Sequence, residues 1–348
     1  MKNISNYAEI LSIYLAYISK RGNENDITSL KKNRENLYCG IIKEQLFNNY
    51  KSIIKNEIVN NLNYHKNCEN KISNNSLKKM CVNSKRYLLN KNAISQRIPT
   101  AIIIGGQQGS GKTNLVLMSN LMLTKTNEKA IILDLDSYRG FYENAFKIFI
   151  NYPNDYEKIT NKAVGKIMEN ITSDVLNYNY NFIFEGTFGG SIYTLNETLK
   201  YNKYNVVVRL MCVCREDSLL SIFERYINSK ESIGLGRLTK IEEHDKRYYG
   251  ILDNLKKIAK IDVNVEIYKK NNVSYLPELL YETKGRNINL YDIMLKLRKN
   301  SYNETKLTFK KRLGYINEYL YKNETNADVL CELEKLNNII NPIINDEL

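Results

Sequence analysis

The sequence predicts an α/β fold: a parallel five-stranded sheet covered by helices, with a helical N-terminal region and a helical C-terminal appendage. Three observations predict it. Five short apolar runs, at 100–104, 130–136, 181–185, 206–213 and 263–268, read as buried strands. Stretches at helical spacing separate them, at 112–126, 155–178, 191–202, 216–229 and 239–260. Strands alternating with helices build a parallel sheet covered on both faces. Finally, residues 1–95 show no strand-like alternation, and 286–340 return to helical spacing.

The elements follow in order. Ile4, Ala8, Leu11, Leu15 and Ile18 recur on one helical face. Glu9 interrupts the apolar character there and no small-residue cleavage site follows, so this stretch reads as a soluble helix and not as a signal peptide. Leu37, Ile41, Ile42 and Leu46 repeat the spacing, as do Ile53, Ile54, Ile58 and Leu62. Breaks fall near Arg21-Gly22 and in the Asn-rich stretches 60–63 and 67–75, which gives three or four helices. Pro99 then punctuates the chain. The expected divisions are 1–95, a basic helical region; 96–285, the α/β domain; and 286–348, the appendage.

Composition bounds the possibilities. The chain has 348 residues and no run long and apolar enough for a membrane span. Six scattered Cys, no C-x-x-C pair and only His65 and His244 argue against a zinc site and suit a reducing cytoplasm. The net charge is +13, and the first hundred residues hold most of it, with 17 basic and 7 acidic side chains. Two readings of that excess stand. One is a bias shared with the 49 Asn and 38 Lys; the other is an acidic partner, nucleic acid included.

The chemistry starts at Gly106-Gln107-Gln108-Gly109-Ser110-Gly111-Lys112-Thr113, which fits G-x-x-x-x-G-K-[ST]. Glycines let backbone N–H groups wrap phosphate oxygens; Lys112 charges the β- and γ-phosphates, and the Thr113 hydroxyl suits Mg²⁺. A strand precedes the loop and a helix-compatible stretch follows, as the motif requires. ATP or GTP with Mg²⁺ is therefore expected. At the carboxyl ends of the next strands stand Asp134, Asp136 and Glu185. Asp136, at the final position of its strand, reads either as a base accepting the proton of an attacking hydroxyl or as a carboxylate holding Mg²⁺ through water. Lys outnumbers Arg about three to one, so an Arg marks a site where the planar fork matters. Arg225, in Phe223-Glu-Arg-Tyr226, and Arg237, in Gly234-Leu-Gly-Arg237, are placed to meet a transferred phosphoryl group.

These residues carry a resemblance. With Pro99-Thr-Ala, Leu135-Asp136-Ser-Tyr138, Glu185-Gly-Thr187, Glu224-Arg225-Tyr226, Gly236-Arg237-Leu-Thr239 and His244-Asp245, the stretch from Pro99 to about Gly285 resembles the zeta toxins. These are the kinase half of epsilon–zeta toxin–antitoxin systems. The resemblance implies a P-loop kinase fold and ATP-dependent phosphorylation of the 3′-hydroxyl of the amino sugar in UDP-N-acetylglucosamine, which arrests cell-wall synthesis. It implies Asp136 as catalytic base, Lys112, Arg225 and Arg237 on phosphate, and Thr113 on magnesium. Thr187 and Glu185 fall at the junction of nucleotide and sugar, and Glu169, sixteen residues before Glu185, at a sugar-nucleotide contact. Two positions depart from the family. Gln108 replaces a frequent Pro, and Gly189 replaces a common Arg, removing a cation from an anionic substrate.

The family also implies an antitoxin partner. Residues 1–95 read as an internal inhibitor of that kind, as a helical brace, or as a docking surface. For the whole chain, the readings are a zeta-like sugar kinase, another P-loop phosphotransferase acting on a nucleoside, antibiotic or polynucleotide end, and a nucleotide-gated binding module.

Overall fold

The computed structural model describes residues 4–19, 24–61, 73–89, 94–125, 129–201, 203–271, 276–283 and 288–345. The expected break at Arg21-Gly22, most of the Asn-rich stretches, His65, Cys68 and the 285/286 boundary lie outside them.

Four helices come first: α1 (Ile4–Ile18), α2 (Glu24–Tyr38), α3 (Glu44–Asn61) and α4 (Asn74–Leu88). The α/β part runs β1 (Thr100–Gly105), α5 (Lys112–Lys125), β2 (Ile131–Asp134), α6 (Leu135–Arg139), α7 (Ala145–Asn151), α8 (Tyr156–Asn177), β3 (Phe182–Glu185) and α9 (Tyr193–Lys200). It continues with β4 (Asn205–Met211), α10 (Arg215–Ile233), α11 (Ile241–Ile258), β5 (Asn264–Lys269) and β6 (Glu278–Thr283). Three helices close the chain: α12 (Leu290–Thr305), α13 (Phe309–Asn323) and α14 (Ala327–Asn345).

The sheet order is β2-β3-β1-β4-β5-β6. The five expected strands are parallel, and β1 lies between β3 and β4, with Ile103 opposite Phe184 and Val208. The order reverses beside β1, so the loop leaving it opens into the crevice where ligands of such sheets bind. Two features of the sheet differ from expectation, and a short helix, α7, forms where none was expected. A sixth strand, β6, pairs antiparallel to β5 at the sheet edge. Its residues are largely solvent-facing, so no buried apolar run announces it. The second strand ends at Asp134 and not at Asp136. The Asp134 carboxylate accepts the Ser137 N–H at 2.7 Å, capping α6 and turning the chain helical from Leu135.

The N-terminal helices share the core of the sheet. Leu15, Leu30, Leu37 and Ile54 are fully buried in one apolar cluster with Ala101, Ile103, Leu133, Tyr138, Phe146 and Ile167. Leu15 of α1 sits directly against Gly140, where a Cβ would come within 2.9 Å of it. A second cluster joins α10 to the C-terminal helices through Leu220, Phe223 and Ile227 against Phe309, Ile316, Leu320 and Leu333. Both flanks are thus packed onto the elements that carry the candidate site. Among the described residues no helix is long and apolar enough to cross a membrane.

Candidate functional site

Gly106–Thr113 joins β1 to α5. Gly109 and Gly111 adopt φ +76° and +89°, conformations that disfavour a side chain. A Cβ at Gly109 would also meet the Ser218 carbonyl oxygen at 2.2 Å. The loop forms a polar cradle: Ser110 Oγ, Gln107 Oε1 and Gln108 Oε1 are buried without a partner among the described residues. Lys112 Nζ donates to the Gln107 carbonyl at 3.0 Å. Burial pulls the Lys112 ammonium below its ordinary pKa, and Arg225 adds to that, against the opposing pull of Glu185 and Asp136. Phosphate oxygens would accept from the Ser110 hydroxyl and from the Lys112 ammonium.

A chain of side chains holds the loop from behind. Gln107 Nε2 donates to the Val213 carbonyl at 3.0 Å and to Ser218 Oγ at 3.2 Å. Ser218 Oγ lies 2.8 Å from His244 Nε2, and His244 Nδ1 lies 3.0 Å from Asp245. Arg215 forks onto the same carboxylate at 2.8 and 2.7 Å. Burial lowers the His244 pKa against the opposing pull of Asp245, and the ring bridges Asp245 and Ser218 through its two nitrogens. Ser218 and His244 are fully buried, which excludes a hydrolytic triad.

In front of the loop the acidic residues divide by environment. Thr113 Oγ1 donates to Glu185 Oε1 at 3.4 Å. Burial pushes the Glu185 carboxyl up to about 7, with Asp134 and Asp136 adding to the shift and Lys112 opposing it. A hydroxyl beside a carboxylate is a donor set that fits Mg²⁺, whose charge would favour the ionised form. Asp136, in the first turn of α6, has a side chain 56% exposed, between Arg139 Nε at 3.3 Å and Arg237 at 3.8 Å. The protein walls around the cavity act by desolvation to raise its pKa even though the carboxylate is open to the cavity, but Arg237, Arg139 and Arg225 outweigh this and hold it below its ordinary range.

Two of these arginines are themselves fixed. Arg139 Nη1 donates to Thr160 Oγ1 at 2.7 Å and Asn161 Oδ1 at 2.9 Å. Arg237 Nη1 pairs with Glu157 at 3.2 Å. The Nε atoms of Arg225 and Arg237 are buried and unpartnered among the described residues.

Gln108, Gly109, Gly111, Lys112, Thr113, Asp136, Glu185, Thr187, Arg225 and Arg237 line one cavity of about 430 Å³. Gly106, Gln107 and Ser110 form the cradle behind it. Glu169 is not brought to the cavity. It is exposed near the middle of α8, where its charge acts on the Tyr193 phenol. The carboxylate of α8 that reaches the site is Glu157, about three turns earlier. No motif marks Glu157. Arg139 and Arg34 carried the same signal as Arg225, scarcity of arginine, without a motif to single them out. Glu9, Ser12, Arg34 and Tyr38, from α1 and α2, also line the cavity.

The Gly189 departure has a packing cause. A Cβ there would fall 2.0 Å from the Arg247 carbonyl oxygen, because the loop after β3 touches α11 backbone to backbone, with Gly250 facing Gly189.

Comparison with known proteins gives the family and the fold. A model of the zeta toxin family matches residues 85–292. Toxin PezT of Streptococcus pneumoniae serotype 4 is 26% identical over 213 residues, 58% of this chain and 79% of that protein. Toxin zeta of Streptococcus agalactiae is 26% identical over 196 residues, 55% of this chain and 67% of that protein. A solved structure from the PezAT chromosomal toxin–antitoxin system of S. pneumoniae superposes with TM-score 0.58 at 22% identity, covering 72% of this chain and 99% of that one. That last likeness concerns the fold.

Proposed function

The chain belongs to the zeta toxin family of kinase-like P-loop proteins, and from that premise we propose that it transfers the γ-phosphate of ATP to a sugar hydroxyl, the leading acceptor being the 3′-hydroxyl of the amino sugar in UDP-N-acetylglucosamine. The observation that carries this reading is the meeting, in one cavity, of the phosphate loop with Asp136, Arg225 and Arg237. A binding module needs the loop alone; a transferase also needs a base and cations around the group that moves.

The step balances simply. The acceptor oxygen forms a bond to Pγ as the bond from Pγ to the β–γ bridging oxygen breaks and ADP leaves. The acceptor proton passes to the Asp136 carboxylate, which its arginine neighbours keep ionised and oriented. Lys112, Arg225 and Arg237 meet the charge on the phosphoryl oxygens. Magnesium, held by Thr113 and Glu185, would supply charge neutralisation at the phosphates when bound.

The reading places the activity in the cytoplasm, where ATP and nucleotide sugars are found. It also includes an antitoxin-type protein partner, since the superposing structure comes from a toxin–antitoxin system. Residues 1–95 offer an inhibitor within the chain as the second reading, because α1 and α2 line the cavity.

The test is to incubate the protein with ATP, Mg²⁺ and a panel of nucleotide sugars and read one added phosphate by mass. Asp136→Asn is expected to bind ATP yet lose transfer. A nucleoside, antibiotic or polynucleotide end phosphorylated in place of every nucleotide sugar overturns the proposed acceptor.

A further inference from the structure

Arg34 lies on α2, outside the residues matched by the family model, yet its guanidinium reaches the end of β2. It is 6% exposed. Nη2 donates to the Ile132 carbonyl at 2.7 Å and also to the Asp134 carboxylate. The rings of Tyr38 and Tyr87 flank it, with centroids 5.4 and 5.7 Å from Cζ.

Asp134 is the cap of α6. One carboxylate oxygen accepts the Ser137 N–H at 2.7 Å, and the other accepts the Ser137 hydroxyl at 2.9 Å and the Arg34 guanidinium. The helix it caps is five residues long, too short to hold its own register. That helix carries Asp136 in its first turn and Arg139 in its last. A single guanidinium therefore ties β2, at the Ile132 carbonyl, to the cap of the helix that presents the carboxylate.

We propose that Arg34 is a positioning residue for phosphoryl transfer: through Asp134 it fixes the start of α6 and so places the Asp136 carboxylate against the acceptor hydroxyl. The proposal rests on the reading of Asp136 as the base. It makes α2 a working part of the site, and not a plug laid over it. Without Arg34, the buried Asp134 carboxylate loses its counter-charge and the strand-to-helix corner loses a bond to each side.

The experiment compares Arg34→Met, Arg34→Lys and Asp136→Asn in the full chain. Turnover of ATP with UDP-N-acetylglucosamine and Mg²⁺ is measured alongside binding of a non-hydrolysable ATP analogue. A displacement of the base by about 1 Å costs on the order of 100-fold in rate, so kcat in Arg34→Met is expected to fall about 10- to 100-fold. Analogue affinity and KM for ATP are expected to stay unchanged, since the phosphate loop hangs on Ser218 and His244 instead. Arg34→Lys keeps the charge without the fork and should recover part of kcat. If Arg34→Met does not fold, Arg34→Lys decides alone, with a lowered kcat at constant analogue affinity expected.

Unchanged kcat in the folded variants overturns the proposal. So does a raised kcat, which would make α2 a blocking segment released by breaking the ion pair. Asp136→Asn separates the two layers. If it turns over ATP like the unsubstituted protein, the base assignment fails and the proposal with it. If it is inactive while the Arg34 variants are unaffected, only the proposal fails.

Discussion

Replacing Arg312 by Leu tests whether the C-terminal helices are part of the catalytic unit. Arg312 projects from α13 onto α10, with Nε and Nη2 on the two oxygens of Glu224 at 2.7 and 2.8 Å. Nη1 binds Asp217, and Nη2 also donates to Ser221 Oγ at 2.9 Å. Removing one partner of a buried pair costs about 3–5 kcal/mol, mostly through the charge left behind. Here Asp217 is the buried member, 8% exposed at its side chain, but Lys270 stays with it at 3.2 Å. Glu224, 30% exposed, regains water. The net loss works out at about 2–3 kcal/mol. At about 2 °C per kcal/mol for a chain of this size, the midpoint should fall by about 5 °C in a calorimetric melt at neutral pH. A double-mutant cycle with Glu224→Gln should show coupling of at least about 1 kcal/mol. Arg225 follows Glu224 on the same helix, so turnover should fall as well. A melt shifted by less than about 1 °C, with no coupling, would refute the reasoning that this fork holds α10 in place.

Two further outcomes follow from the same geometry. Because burial lowers the His244 pKa, with Arg215 and Arg298 pulling the same way and Asp245 opposing, the unfolded chain binds a proton near pH 6.5 that the fold resists. Stability is then full above that pH and falls as pH drops below it, until the folded ring also titrates. Melts from about pH 7.5 to 5 should show a shallower decline in His244→Gln, and parallel curves would remove the ring from the account. Gly189→Arg restores the residue common in the family, yet it should destabilise by about 3 kcal/mol or more, since its Cβ has no room against the Arg247 carbonyl. A folded variant with an unchanged midpoint would show that the contact with α11 yields.

Much of the site was legible because its information is local. Eight consecutive residues make the phosphate loop, and their glycines are required by backbone angles and contacts made within a few residues or with one neighbour. Arg225 and Arg237 stood out because the chain spends so few arginines. Asp136 was legible as a residue but not as geometry. Its apolar-polar neighbourhood reads as the end of a strand, and only the Asp134 cap shows that it opens a helix. Glu169 and Glu157 were indistinguishable on α8 by composition, and the packing of that helix against α6 decides which one faces the arginines.

By itself, then, the sequence determined the five parallel strands and the main helices between them, the phosphate loop, the family and the residue types of the candidate site. These depend on periodicity and on motifs that act over one or two turns. The tertiary structure alone decided where the flanking helices pack. Arg34 meets Asp134 across 100 positions of sequence, and Arg312 meets Glu224 across 88. Neither pair has a spacing rule. Their energies come from burial and counter-charge, which exist only once the helices have packed against the sheet.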